Sequence, residues 1–131
     1  MPLKRIDVTI DADGGRDAGK VFHIVEMGAE PFSKWLVKVA SAAKAADPNA
    51  DFDVTAPRAA LFGAVVGALL KGDPRVTISL LDELMTCVKT GPAPGNLRLP
   101  GDIEEFLTVF HLQHKVFELH TGFSLPGSTS K

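Results

Sequence analysis

From Arg5 to Ile10 ("RIDVTI") hydrophobic and polar positions alternate, with Ile6, Val8 and Ile10 on one side and Asp7 and Thr9 on the other. A period of two marks a half-buried strand. "KVFHIVEM" (20–27) is a second strand, rich in β-branched and aromatic residues. The Asp and Gly of "DADGGRDAG" (11–19) suit turns and positive φ, so a hairpin with a loose, mobile tip is expected.

Beyond the hairpin the period lengthens. In "EPFSKWLVKVASAAKA" (30–45) and just beyond it, Phe32, Trp35, Leu36, Val39, Ala43 and Ala46 share one face, and Pro31 suits a first helical turn. "DPNADFDVTAP" (47–57) interrupts the pattern. "RAALFGAVVGALLKG" (58–72) resumes as a helix apolar nearly all round, expected to be central, with Gly63 and Gly67 spaced for a close helix crossing. "DPRVTISLLDELMTCVKTG" (73–91) reads as a third helix, capped by Asp73 and ended by Gly91, with Val76, Leu80, Leu84, Cys87 and Val88 as its buried stripe. "GPAPGNLRLPG" (91–101) is an extended connection. A fourth helix follows, with Asp102 as cap, Glu105 completing a capping box and Gly122 as its stop. The pattern predicts a mainly α (α+β) fold with an N-terminal β-hairpin and a compact bundle of about four helices. It forms a single globular domain over 1–125, with the hairpin at 3–26, the bundle at 31–121 and a disordered polar tail at 126–131.

Composition narrows the function classes. The chain has 131 residues, 45% of them apolar and 23% charged, with a formal charge of −2, so a nucleic-acid partner is not expected. The longest uncharged apolar run, Ala59 to Leu70, falls short of the roughly 20 residues a bilayer span needs, and "MPLKRIDVTIDADGG" lacks the apolar core of a signal peptide. A single cysteine, Cys87, fits a reducing compartment. Together these point to a cytoplasmic protein with no membrane partner.

Three of the four histidines crowd into "HLQHKVFELH". His111, His114 and Glu118 fall on neighbouring parts of one helical face, where two imidazoles and a carboxylate could surround an ion. His120 points away. His114 lies amid Ile103, Phe106, Phe110 and Phe117, however, and no second element supplies a ligand, so the cluster is expected to be structural. The Asp spacing of "DADGGRD" fails as a calcium loop: from Asp11, the positions reserved for glycine and glutamate hold Arg16 and Phe22. Cys87 lies on an apolar stripe, and the nucleophile-elbow and phosphate-loop motifs are missing from the chain. No catalytic residue, metal site or cofactor is expected.

"GRDAGKVFHIVEMGAEPFSKWLVKV", followed at a distance by "DIEEFLTVFHLQHKVFELHTGF", resembles the tail assembly chaperones of long-tailed bacteriophages and prophages. The likeness rests on the "GK-F-I-EM" strand entering a Trp-bearing helix and on the closing "VF-LHTGF", and it spans most of residues 14–123; the middle matches in length and helicity only. The resemblance implies a non-enzymatic helper in the host cell cytoplasm that binds the tape measure protein, keeps it soluble during tail assembly and is absent from the mature virion. The tail tube subunit and a second copy of this chain are further candidate partners.

The fourth helix carries two apolar arcs. Ile103, Phe106, Leu107, Phe110 and Phe117 form one; Val109, Leu112, Val116 and Leu119 form the other. With the second helix taken as the buried centre, the arc of Val109, Leu112, Val116 and Leu119 is expected to meet another chain. A structural tail or head–tail joining component using the same surface is the alternative, and a small His/Glu metal enzyme a remote one.

Overall fold

The computed structural model describes residues 3–90 and 100–122. The proposed tail at 126–131, Gly91 as a helix end, and most of the 91–101 connection lie outside them. Strand β1 (Arg5–Thr9) pairs antiparallel with β2 (Val21–Val25), placing Ile6 opposite Ile24 and Val8 opposite Phe22. Helices α1 (Ala29–Ala46), α2 (Arg58–Leu69), α3 (Pro74–Met85) and α4 (Phe106–Thr121) follow in order. The fold is α+β and mainly α, as the sequence pattern predicts.

The third helix is shorter than expected, and the remainder of its predicted span contributes to the sheet. Asp73 caps α3 by accepting from the Arg75 N–H at 2.9 Å, with Pro74 in its first turn. The helix ends at Met85, and Val88–Lys89 form β3 against the free edge of β2. The Val25 N–H donates to the Cys87 carbonyl at 3.0 Å. A β-branched residue at 88 suits a pleated position, and pairing satisfies main-chain groups that β2 would otherwise leave open. Cys87 and Val88 are buried as expected, but from the turn before β3 and from β3 itself rather than from a helical stripe, and Val76 is exposed.

Trp35 on α1 anchors the core. Its ring is 2% exposed, its Nε1–H donates to the Leu80 carbonyl at 2.9 Å, and it stacks on Phe32 with centroids 5.5 Å apart. A buried indole needs such an acceptor, and finding it on α3 fixes the spacing of α1 and α3. Phe117 of α4 meets Trp35 edge-on at 6.3 Å and Phe62 of α2 at 5.1 Å.

The centre of the bundle is α4, not α2. Helix α4 touches α2, α3, β1 and the turn before β2, and Leu112 and Val116 are fully buried. Helix α2 buries Leu61, Val65, Ala68 and Leu69, while Ala59, Ala60, Gly63, Ala64 and Gly67 face outward. Among the described residues, nothing beyond the helix's own backbone comes within 4 Å of where a Cβ would stand on Gly63 or Gly67, so they mediate no close crossing. The difference follows from side-chain size. Leu and Val gain about 1.5–3 kcal/mol each on burial, whereas Ala and Gly have little apolar area to hide. A helix apolar through Ala and Gly is cheap to leave at the margin.

Candidate protein-binding surface

The segment between β1 and β2 is a built structure rather than a loose tip. Residues Ala12–Asp17 form 3₁₀ turns kinked at Gly15, whose φ of 61° favours glycine and which lies against the Glu105 carboxylate. Asp17 is fully buried, and its carboxylate accepts from the Glu104 and Glu105 N–H groups, at 2.9 Å each, and from Lys20 Nζ at 2.9 Å. Burial on its own would raise the Asp17 pKa. The Lys20 ammonium, the two main-chain donors and the Thr108 hydroxyl outweigh that and hold it well below the usual carboxylate range. Arg16 reinforces the junction, donating from its N–H and Nε to Glu105 Oε2 at 3.0 and 3.2 Å.

This junction also replaces the expected capping box. Helix α4 starts at Phe106, with Glu105 as a cap residue that makes no side-chain cap bond, and Asp102 sits in a separate 3₁₀ turn, Pro100–Asp102. Asp17 takes the N–H groups just ahead of the helix and holds residues 104–105 in place against the hairpin.

The histidines part company. His120 is buried and stacks on Phe32 with centroids 4.4 Å apart. Its Nε2 accepts from the Met27 N–H at 2.9 Å, so the ring proton sits on Nδ1 and is donated to the Val116 carbonyl at 2.8 Å. Burial lowers the pKa of His120 from its ordinary 6.5. His111 is exposed; His114 is half-buried against Phe62 at 6.0 Å, and its Nε2 finds no hydrogen-bond partner among the described residues. Glu118 pairs with Lys115 at 3.4 Å. Among the described residues no three His, Cys, Asp or Glu side chains converge as a metal site. Burial pushes the Cys87 thiol up to about 11, which leaves it protonated and unreactive at neutral pH.

His120 gives a testable pH dependence. The unfolded chain takes up a proton near pH 6.5, whereas the folded chain resists until lower pH. Stability is therefore complete above about 6.5 and falls as the pH drops below it. His120→Leu is expected to cost on the order of 1–3 kcal/mol, by stranding the Met27 N–H, and to flatten that slope. Urea unfolding at pH 7.5 and 5.5 checks both; an unchanged slope in the variant would assign the titration elsewhere.

The partner surface expected on α4 is the part the structure corrects. Of Val109, Leu112, Val116 and Leu119, Leu112 and Val116 are 0% exposed, and Val109 and Leu119 are half-buried against the core. That arc faces inward because α2 and α3 both pack on α4. The exposed apolar residues belong to the opposite arc, near the start of the helix: Phe106 is 71%, Leu107 66% and Phe110 54% exposed. The two phenyl rings meet edge to face at 6.2 Å. Phe117, assigned to the same arc, is instead buried at the far end, and Ile103 is half-buried. The exposed arc is thus confined to Phe106, Leu107 and Phe110, and which arc faces the core depends on where α2 and α3 lie.

A second apolar feature is an open groove of about 790 Å³ between α1 and α3, lined by Val37, Ser41, Ala42, Ala45, Val76 and Ser79 among others. The Lys38–Glu83 ion pair, at 2.7 Å, ties α1 to α3 at its margin. Its exposed apolar lining is led by Val37, 69% exposed, and Val76, 43% exposed, and carries no aromatic ring, in contrast to the start of α4. Among the described residues no helix is long and apolar enough to cross a membrane. No family model, curated protein or solved structure matches this chain.

Proposed function

We propose that this protein is a phage or prophage tail assembly chaperone, a non-catalytic partner that holds the tape measure protein soluble in the host cytoplasm and is left out of the finished virion. The observation that carries the reading is the exposure of Phe106, Leu107 and Phe110 together on one turn of α4. Isolated apolar side chains on a surface are ordinary, but a contiguous aromatic group is a contact surface waiting for a partner. Positions i, i+1 and i+4 form a stripe that packs along the apolar face of a second helix, the form an amphipathic helical client would offer. The network around Asp17 fixes the start of α4 and therefore presents the two rings on a rigid base.

Co-expression with tape measure segments tests the role. The wild-type chain is expected to keep those segments in the soluble fraction and to be missing from purified virions. Phe106→Ser with Phe110→Ser should keep its fold and lose the holding activity, since truncating a hot-spot ring costs about 2 kcal/mol, roughly thirtyfold in affinity. A double variant as effective as wild type, or a stoichiometric presence in virions, would overturn the proposal.

A further inference from the structure

Among the described residues the outer edge of the sheet is unpaired, and its charges are arranged to match themselves. Strand order is β1-β2-β3, so among those residues β1 has a neighbour on one side only. The Glu26 N–H donates to the Lys4 carbonyl at 2.9 Å and the Ile10 N–H to the Lys20 carbonyl at 2.8 Å, with Ile6 and Val8 in register between them. In an antiparallel ladder alternate residues turn their main-chain groups to opposite edges. The even-numbered residues of β1 face β2, and the N–H and C=O groups of Arg5, Asp7 and Thr9 therefore point off the free edge. All three residues are exposed.

We propose that this edge pairs with β1 of a second copy of the chain, antiparallel about a two-fold axis at Ile6, to give one sheet continuous across the dimer. In that register Arg5 of each copy lies directly opposite Asp7 of the other, and each such pair exchanges both main-chain hydrogen bonds. Ile6 meets its own symmetry mate on the core side. Opposite charges directly across a ladder attract and like charges repel. Sliding the axis to Asp7 would face two carboxylates, and sliding it further leaves Asp7 opposite Thr9, so the charges select one register and one occupant. Asp7 already accepts from His23 Nδ1 at 2.7 Å, and His23 is in register with Lys89. Arg5 of the second copy would place a basic side chain on the other flank of Asp7, opposite the one His23 occupies. A single-sign edge would guard against pairing; this one carries both signs at the spacing that fits itself. The inference does not depend on the proposed chaperone role, although a dimer would present two apolar surfaces to one long client.

Pairing along so short a strand buries little surface and gives a weak dimer. Sedimentation equilibrium at low ionic strength, up to about 1 mM protein, is expected to show the mass rising from 13.9 kDa towards twice that value, and added salt to reverse the rise. Arg5→Asp places like charges opposite each other in both symmetric pairs and should weaken association about tenfold or more. The exchange Arg5→Asp with Asp7→Arg restores opposite charges and should recover association to within about threefold of wild type. A chain monomeric throughout, a dimer indifferent to Arg5→Asp, or an exchange that fails to rescue would each overturn the proposal.

Discussion

Leu112→Asp is expected to unfold the protein. Leu112 is wholly enclosed at the centre of the bundle, on the helix that α2, α3 and β1 all contact. The substitution removes a buried side chain whose burial contributes about 1.5–3 kcal/mol and puts a carboxylate inside the hydrophobic core. A buried charge without a partner costs several kcal/mol more, and a domain of this size has about 5–15 kcal/mol in total. Loss of the helical circular dichroism signal, or an insoluble product, is the expected reading. Val116→Asp should behave alike. Phe106→Asp, on the exposed face of the same helix, should change stability by less than about 0.5 kcal/mol. A Leu112→Asp protein with native ellipticity and an unchanged melting temperature would show that the arc lies outside the core.

The second large effect is expected at Asp17. Asp17→Ala strands the N–H groups of Glu104 and Glu105 and leaves Lys20 without its closest buried partner. Removing one member of a buried, hydrogen-bonded charge set costs about 3–5 kcal/mol. Asp17→Asn should recover only part, because its amide nitrogen cannot accept from either main-chain donor. The carboxylate also sets an acid limit. Its folded pKa is depressed, so its contribution is present above the unfolded value near 3.9 and is lost as the pH falls from there towards the folded pKa. Urea titrations at pH 7 and 3 should show the gap between Asp17→Ala and wild type narrowed at the lower pH but not closed, because the folded carboxylate is still ionised there. An equal difference at both would mean the charge contributes nothing.

Asp17 also marks what the sequence could and could not convey. The strands, the Pro and Asp that open α3, and the Gly that ends α4 are local signals, and each stands where its residue type demands. Asp17 looked like one more turn carboxylate in an Asp- and Gly-rich stretch because its partners lie 87 and 88 residues away. The short β3 gave no periodic signal of its own. Val88 and Cys87 fitted a helical stripe as well as a strand, and only the open edge of β2 decided between them. The orientation of α4 was ambiguous for a related reason. Both arcs are apolar, and the choice between them was made by the small residues of α2, whose Ala and Gly left that helix at the margin and α4 in the middle. An apolar count treats Ala like Leu; burial does not.

The most direct measurement of the central claim is amide hydrogen exchange of the protein with and without a soluble tape measure segment. Binding through the exposed turn of α4 should add protection at residues 106–110, together with adjoining amides of the turn at 12–17. Amides beside Leu112 and Val116, already enclosed in the core, should change little. Added protection confined to the α1–α3 groove around Ser41 and Ser79, or none anywhere at saturating segment, would contradict the assignment of Phe106, Leu107 and Phe110 as the holding surface.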